Sequence, residues 1–405
     1  MPKDKPEIRF AGYTDAWEKR RLGEYANYRR GSFPQPYGNK EWYGGKDSMP
    51  FVQVVDVTNK LTLVDDTKQK ISKLAQSKSV FVPKGKVVIT LQGSIGRVAI
   101  TQYDSYVDRT LLIFENYVKP TNEYFWAYTL QQKFEIEKRR APGGTIKTIT
   151  KEALSIFEVH LPEYKEQVKI GTLFQYLDTL ITVNQRKVDL LKELKKGFLQ
   201  KMFPKNEENY PQIRFAGYTD AWEKRKLSDN IIQYNEHTIE NNQYPVFTSS
   251  RKGLFFQKDY YDGHQIASVD NTGYNIVPKG YFTYRHMSDD LIFKFNINDL
   301  ADYGIVSTLY PVFTTTENLD AMYLMYQLNE GTEFKRFSLL QKQGGSRTYM
   351  YFSKLKELKL TIPNIKEQKS ISELFKQLDS LITVNQRRVD LLKQEKKALL
   401  QKMFV

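Results

Sequence analysis

The sequence is written twice, and any fold must be divisible accordingly. Ile8 to Leu22 reads IRFAGYTDAWEKRRL and Ile213 to Leu227 reads IRFAGYTDAWEKRKL, agreeing at fourteen of fifteen positions at an offset of 205. Leu177 to Phe203 reads LDTLITVNQRKVDLLKELKKGFLQKMF, and Leu378 to Phe404 reads LDSLITVNQRRVDLLKQEKKALLQKMF, agreeing at 21 of 27 positions at an offset of 201. Self-similarity of this quality marks a tandem duplication. The halves lie near 1–203 and 204–405 and are joined by the polar segment Pro204 to Pro211. Between the matched blocks identity nearly vanishes, yet landmarks keep their order. Val82-Pro83-Lys84-Gly85 recurs as Val277-Pro278-Lys279-Gly280, Gly143-Gly144-Thr145 as Gly344-Gly345-Ser346, Leu161-Pro162 as Ile362-Pro363, and Glu166-Gln167 as Glu367-Gln368. This is one scaffold used twice, with divergent surface loops.

Texture divides each half again. Segments 20–160 and 227–361 are rich in Tyr, Phe, Val, Ile and Gly. Short runs there read as strands bounded by turn residues: Val87 to Thr90, Val98 to Thr101 and Asp290 to Phe295. Glu123 to Lys138 and Asn318 to Asn329 read as helices. The expected class is α+β, two similar mixed domains. Segments 163–203 and 364–404 differ: each begins just after a proline and contains none. Leu173, Leu177, Leu180, Asn184, Leu191, Leu194 and Phe198 follow a three/four spacing, repeated by Leu374, Leu378, Leu381, Asn385, Leu392 and Leu399. The heptad is imperfect, because Lys187 and Arg388 fall at a seam position and Val188 and Val389 follow. Two helices of roughly 60 Å are expected to pair as an antiparallel coiled coil, giving an internal pseudo-twofold with a globular domain at each end. Asn184 and Asn385 sit at equivalent seam positions, where a buried Asn fixes register. The alternative is that each helix packs only on its own domain. Expected boundaries are 1–162 for the first globular domain, 163–203 for its helix, 204–212 for the linker, 213–363 for the second domain and 364–405 for its helix.

Charge indicates the partner. Lys+Arg 61 against Asp+Glu 47 gives +14, and residues 1–203 hold 34 basic against 23 acidic side chains while 204–405 hold 27 against 24. Such a field favours polyanions, since each phosphate neutralised releases condensed counterions, although solubility alone also uses net charge. Neither an apolar run near the roughly 20 residues that span a bilayer nor an apolar stretch behind the first lysines is present, so a cytoplasmic, non-membrane protein is expected. The chain has no cysteine, which excludes disulfides, thiolate metal sites and cysteine nucleophiles.

A search for catalytic motifs returns none. Gly44-Gly45-Lys46-Asp47-Ser48 lacks the spacing of a phosphate-binding loop, and no N/D-P-P-aromatic motif of an amino-methyltransferase occurs. The four histidines, His160, His237, His264 and His286, have no metal-ligand spacing. Glu193-Leu194-Lys195, Glu333-Phe334-Lys335 and Glu357-Leu358-Lys359 match only the end of a nuclease motif. No catalytic residue, cofactor or metal is therefore expected.

Segments mixing basic, amide, hydroxyl and aromatic residues with glycine are the candidate DNA contacts. In the first half they contribute Arg29, Arg30, Ser32, Gln35, Lys40, Tyr43, Lys46, Gln92, Ser94, Arg97, Arg139, Arg140 and Lys147. In the second they contribute Ser249, Ser250, Arg251, Lys252, Asn271, Tyr274, Tyr284, Arg285 and Arg347. Arg pairs with guanine, Asn and Gln with adenine, and hydroxyls hold phosphates. The alternative for each is a solvated surface side chain.

The combination resembles the specificity subunit of a Type I restriction–modification system. The resemblance rests on the RF-x-G-x-x-x-x-W-E-x-x-x-L opener of each half, the I-G-R-V-A-I strand after Gly93-Ser94, the Gly-Gly-Thr/Ser turn, the L/I-P-x-x-x-E-Q element and the helix ending K-K-x-L/F-L-Q-K-M-F. These occur in family order over nearly the whole chain. The I-G-R-V-A-I segment is present only in the first half; the second has Thr283-Tyr284-Arg285-His286 in the comparable region. The resemblance implies two target-recognition domains, each binding one part of a bipartite double-stranded DNA site. It also implies paired helices that separate them and dock two modification (adenine methyltransferase) subunits, with ATP-dependent restriction subunits joining the complex. Catalysis, ATP, magnesium and methyl donor then belong to the partners. Gln185, Arg186, Lys192, Lys195 and their copies Gln386, Arg387, Lys393 and Lys396 are the candidate partner contacts. The rival readings are a stand-alone methyltransferase or nuclease, opposed by the missing motifs, and a coiled-coil scaffold or adaptor that binds protein.

Overall fold

The computed structural model describes residues 4–140, 150–205, 208–263, 267–342 and 347–405. The chain forms two compact units, one of residues 1–186 with 386–405, the other of residues 187–385. The division runs through both long helices, Tyr164–Lys201 and Ile365–Met403, so each unit holds the start of one helix and the end of the other.

In the first unit a four-stranded antiparallel sheet runs Ala26–Arg30, Leu111–Tyr117, Val87–Thr90, Val98–Ile100. All four residues of Val87–Thr90 are buried, which suits a β-branched run covered on both faces. The helix Glu123–Arg140 packs on this sheet. Gly96, at φ +77°, lets it come close: a Cβ there would lie 2.5 Å from the Phe134 ring. A second, mixed sheet orders Gln69–Ile71, Met49–Val52, Ser105–Val107, Val80–Val82, with Met49–Val52 parallel to Ser105–Val107. The second unit has its own four-stranded sheet, Ile231–Gln233, Val312–Thr315, Phe282–Tyr284, Phe295–Ile297, covered by the helix Ala321–Glu330. The expected strand over Asp290 to Phe295 begins only at Phe295. The residues before it form a turn: Leu291 takes φ +67° and the Asp290 carboxylate accepts the Ile292 N–H, so alternation of apolar residues there does not mean extension.

The repeated motifs prove to be the frame. The opener's strand pairs antiparallel with the strand before each long helix, Glu18–Arg21 with Glu158–Leu161 and Glu223–Lys226 with Lys359–Ile362. Arg9 makes a bidentate ion pair with fully buried Glu166 at 2.7 and 2.8 Å, and Arg214 does the same with Glu367 at 2.7 Å. The adjacent glutamine ties three segments together. Gln167 donates to the Pro162 carbonyl at 2.9 Å and accepts the Asn122 N–H at 3.2 Å; Gln368 donates to Pro363 at 2.9 Å and accepts the Asp320 N–H at 2.8 Å. Thus the Glu-Gln pair fixes the opener with one side chain and the start of the core helix with the other.

The helix ends close each unit. In the first, Phe404 lies 5.5 Å from Phe125, 5.7 Å from Phe174 and 6.4 Å from Trp17, and the Ile8 N–H donates to the Lys402 carbonyl at 3.0 Å. In the second, Phe203 lies 5.6 Å from Tyr323 and 6.1 Å from Phe375, and the Ile213 N–H donates to Lys201 at 2.9 Å. Within each unit the two helix segments run antiparallel. Lys396 pairs with Asp178 at 2.5 Å and Lys393 with Gln185 at 3.4 Å; in the other unit Lys195 pairs with Asp379 at 2.6 Å, while Phe203 reaches Phe375.

The helix seam departs in phase from the spacing read in the sequence. Leu194 and Leu381 are each 47% exposed, whereas Val188 and Val389 are fully buried. The covered positions run Phe174, Leu177, Ile181, Asn184, Val188, Leu191 and Phe375, Leu378, Ile382, Asn385, Val389, Leu392, a regular three/four alternation whose phase leaves Leu194 and Leu381 outside it. The Asn184 and Asn385 amides donate to the carbonyls four residues back, Leu180 and Leu381, both at 2.7 Å.

Two predictions follow from this frame. Arg9→Met or Arg214→Met leaves a buried carboxylate unpaired and should cost about 3–5 kcal/mol, read by denaturant unfolding; a loss under ~1 kcal/mol would mean the pair is not structural. Asn184→Leu with Asn385→Leu should keep or raise the melting temperature, since an apolar seam residue replaces a polar one that specifies register at a cost. A large drop would show that the amides carry stability.

Candidate nucleic-acid interface

The sequence-derived positions differ in exposure and in what they already hold. Arg30, Gln35, Lys40, Lys46, Gln92, Lys252 and Arg285 are exposed. Arg29, Arg251 and Arg347 are also exposed but hold carboxylates: Arg29 with Glu115 at 2.6 Å, Arg251 with Asp290 at 2.5 Å and Arg347 with Asp289 at 3.0 Å. The Arg251 hydrogen bonds keep the Asp290 carboxyl down at about 2. In a nucleic-acid complex phosphate must compete with these carboxylates.

Three positions are corrected outright. Tyr284 is fully buried and donates to the Met350 carbonyl at 2.9 Å. Ser249 is buried and accepts from the Asn296 amide at 2.8 Å. Asn271 has no exposed surface and spends its amide on neighbouring loop residues. In each case a polar side chain in a glycine- or hydroxyl-rich run satisfies buried backbone instead of facing outward. Four others are half-buried and partly engaged. Ser32 donates to Lys78 at 3.4 Å, Ser250 donates to Gly253 at 3.1 Å, Arg97 donates to Val57 at 3.3 Å, and the Tyr274 hydroxyl donates to Ser268 at 3.3 Å. The carbonyl of Ser94 accepts the Thr90 hydroxyl. Lys147, the turns Gly143-Gly144-Thr145 and Gly344-Gly345-Ser346, and His264 lie outside the described residues, and of Arg139 and Arg140 only the helical backbone is described.

The first unit adds residues that the sequence reading missed. Phe33 packs against Tyr37, Tyr43 and Phe51 at 5.1, 5.4 and 4.6 Å, fixing the loop that carries Gln35, Lys40 and Lys46. Tyr43 donates to the Tyr37 carbonyl at 2.8 Å, and Tyr37 to Asp108 at 2.6 Å. Burial, with the Asp108 hydrogen bond, pushes the Tyr37 phenol up to about 12, so it stays a neutral donor at any physiological pH. The Arg109 guanidinium sits 5.2 Å over the Tyr37 ring. A shallow recess of about 340 Å³ opens here, lined by Tyr37, Gln53, Val54, Val55, Arg109 and Thr110 among others. Its amide, guanidinium, hydroxyl and methyl groups are the set that base edges require. Arg109 was missed because a single Arg between two strands carries no repeat or basic cluster to mark it. Buried Asp56 accepts the Gln53 and Lys68 N–H groups at 2.8 and 3.0 Å and so fixes the turn that presents Val55.

Of the expected partner contacts, Arg186, Lys192, Arg387 and Lys393 are exposed. Lys195 and Lys396 are not free: besides their aspartates, they lie 5.2 and 4.9 Å over the Tyr326 and Tyr128 rings. Val183, Leu190 and Leu194 on the first helix, and Val384 and Leu391 on the second, are exposed apolar residues.

Among the described residues no group of His, Asp and Glu could hold a metal ion, and no helix is long and apolar enough to cross a membrane. The three Glu-x-Lys triplets are dispersed into other duties. Glu333 accepts the Thr361 N–H and hydroxyl, Glu357 pairs with Lys226, and Lys195 with Asp379.

Comparison with known proteins gives one family. The Type I restriction modification DNA specificity domain matches residues 14–193 and again 219–394. Two curated relatives from Methanocaldococcus jannaschii are similar over their length. The type I restriction enzyme MjaVIII specificity subunit is 21% identical, covering 95% of this chain and 91% of its own; the MjaIX specificity subunit is 24% identical, covering 96% and 92%. The crystal structure of the S subunit of a Type I restriction–modification system from M. genitalium shares the fold at TM-score 0.63 and 13% identity, covering 99% of each chain. A chain from a structure describing assembly and conformational transition of the type I system matches at TM-score 0.50 and 13% identity, covering 96% and 97%. With two copies of the domain accounting for most of its length, the chain belongs to the family of Type I restriction–modification specificity subunits.

Proposed function

We propose that this chain reads DNA for a Type I restriction–modification complex and performs no catalysis itself. Its two target-recognition domains, residues 1–162 and 213–363, each read one half of an asymmetric bipartite site. The paired helices set the spacer and dock two adenine methyltransferase subunits, and ATP-dependent restriction subunits complete the assembly. Methyl donor, ATP and magnesium are held by those partners. The observation that carries the reading is the division of labour inside each unit. The frame (Arg9 with Glu166, Arg214 with Glu367, the glutamine ties and the helix ends) is the same in both copies. The loops it supports differ in length and sequence, as two readers of unlike half-sites require. Exposed Val183, Leu190, Val384 and Leu391, flanked by Arg186 and Arg387, are the proposed docking contacts, repeated because the two modification subunits are equivalent. Asn184 and Asn385 are the proposed register markers of the helix pair.

Phosphate contacts make the binding electrostatic. The complex with modification subunits should lose affinity for its duplex by orders of magnitude between ~50 and ~200 mM salt. A nearly flat salt response would favour the protein-binding scaffold. The helices are also a ruler: deleting about seven residues from each, ~10 Å of length, should shorten the spacer by about 3 bp and leave both half-sequences intact. Altered half-sequences, read by mapping methylated adenines, would contradict the assignment of spacer to helices and reading to domains.

A further inference from the structure

Two loops of the second unit, 238–243 and 268–274, are braced against each other by buried polar side chains. Asn271 is the centre. Its Oδ1 accepts the Asn242 N–H at 2.7 Å, its Nδ2 donates to Asn242 Oδ1 at 2.9 Å, and its own N–H donates to Asn241 Oδ1 at 3.1 Å. Its carbonyl accepts the hydroxyl of buried Thr238 at 2.7 Å, and that hydroxyl accepts the Tyr274 N–H at 3.0 Å. The brace extends outward, where Asn241 donates to the Val269 carbonyl at 3.0 Å and Gln243 accepts the Ile239 N–H at 2.9 Å. Asn242 is held at φ +58°, a conformation Asn tolerates better than most residues.

This investment fixes the backbone beneath two aliphatic side chains that the unit leaves in water. Ile239 is 80% exposed and Val269 is 95% exposed. Scattered exposed aliphatics need no explanation by themselves. Here two of them stand on loops joined by a fully buried asparagine, beside a recess of about 840 Å³ lined by Gln243, Tyr244, Lys258 and Asp259 among others. Neither loop lies in the segments shared by the two repeats, so the brace belongs to what is particular to this domain. The first unit uses other parts for the same end: buried Asp56 holds the turn on which Val55 stands 62% exposed.

A rigidly presented methyl group has one aliphatic counterpart on a base pair, the 5-methyl of thymine in the major groove. Pre-organised loops lose little entropy on contact, so the selectivity of such a contact is retained as affinity. We infer that Ile239 and Val269 are specificity-determining residues of the second recognition domain, packing against thymine methyls of its half-site; this rests on the DNA-reading function proposed above. Asn271 is a positioning residue: it holds both loops and touches no base.

The test removes the methyl alone. With the full chain bound to its modification subunits, each thymine of the second half-site is replaced in turn by deoxyuridine, which keeps every hydrogen bond. One or two replacements should weaken binding about three- to tenfold, the worth of one buried methyl. Ile239→Ala with Val269→Ala should bind the thymine duplex correspondingly weakly and show no further loss with deoxyuridine. Replacements in the first half-site should act equally on both proteins. A wild-type complex indifferent to deoxyuridine throughout the second half-site, a half-site without thymine on either strand, or a variant as sensitive as wild type would overturn the inference. Should the double variant fold poorly, Ile239→Ala and Val269→Ala made singly must each lose part of the deoxyuridine sensitivity, and neither doing so would overturn the inference. Absence of any sequence-specific binding would instead refute the underlying DNA-reading function.

Discussion

Each unit depends on a helix end from the other repeat. The ring of Phe404 closes against Trp17, Phe125 and Phe174, and that of Phe203 against Trp222's partner Tyr323 and Phe375. About two turns back, Lys396 and Lys195 each pair with an aspartate while lying over a tyrosine ring, and that tyrosine's hydroxyl donates to the same aspartate. A lysine amine fixed between a carboxylate and an aromatic face gains from both while its alkyl stem packs on the ring. This explains why the sequence keeps K-K-x-L/F-L-Q-K-M-F twice. Neither helix end completes the core of the repeat that encodes it, and either copy would leave a domain open if it changed.

With the frame closed in this way, the loops are free to differ. The Glu-Gln element secures opener, strand and core helix with buried side chains, so changes at loop tips need not reach the core. The loops themselves are not loose. Asn271 in the second unit, and Asp56 with the Tyr37–Asp108 hydrogen bond in the first, fasten them from beneath with polar groups that are fully satisfied. Buried polar groups rigidify when every partner is present, which is what presentation of a recognition surface requires. Several exposed arginines hold carboxylates, among them Arg29, Arg251 and Arg347. Surface pairs of this sort are worth little, so phosphate can displace the carboxylate at small cost.

Periodicity and repetition made the frame legible. The long helices, the strands Val87–Thr90 and Val98–Ile100 and the helix Glu123–Arg140 lie where spacing places them. The helix seam was read only approximately, because the covered stripe runs through Ile181, Val188, Ile382 and Val389, a phase that leaves Leu194 and Leu381 exposed. The interface was harder to read. Hydroxyls and amides serve equally to fasten a loop or to touch a base, and composition does not separate the two, so Ser249, Asn271 and Tyr284 were placed on the surface when burial assigns them to the interior. Arg109 and Val55 were overlooked for the converse reason: each is a single residue whose exposure is fixed by contacts distant in sequence, with Tyr37 and Asp56.

The central claim is that one chain supplies two different readings to one methylating complex. The most direct measurement is co-expression with its modification subunit in a host lacking other Type I systems, followed by single-molecule mapping of methylated adenines. The account predicts one split, asymmetric motif that appears only when this chain is present. A stable, DNA-competent complex that leaves the host genome without new methylation would contradict it.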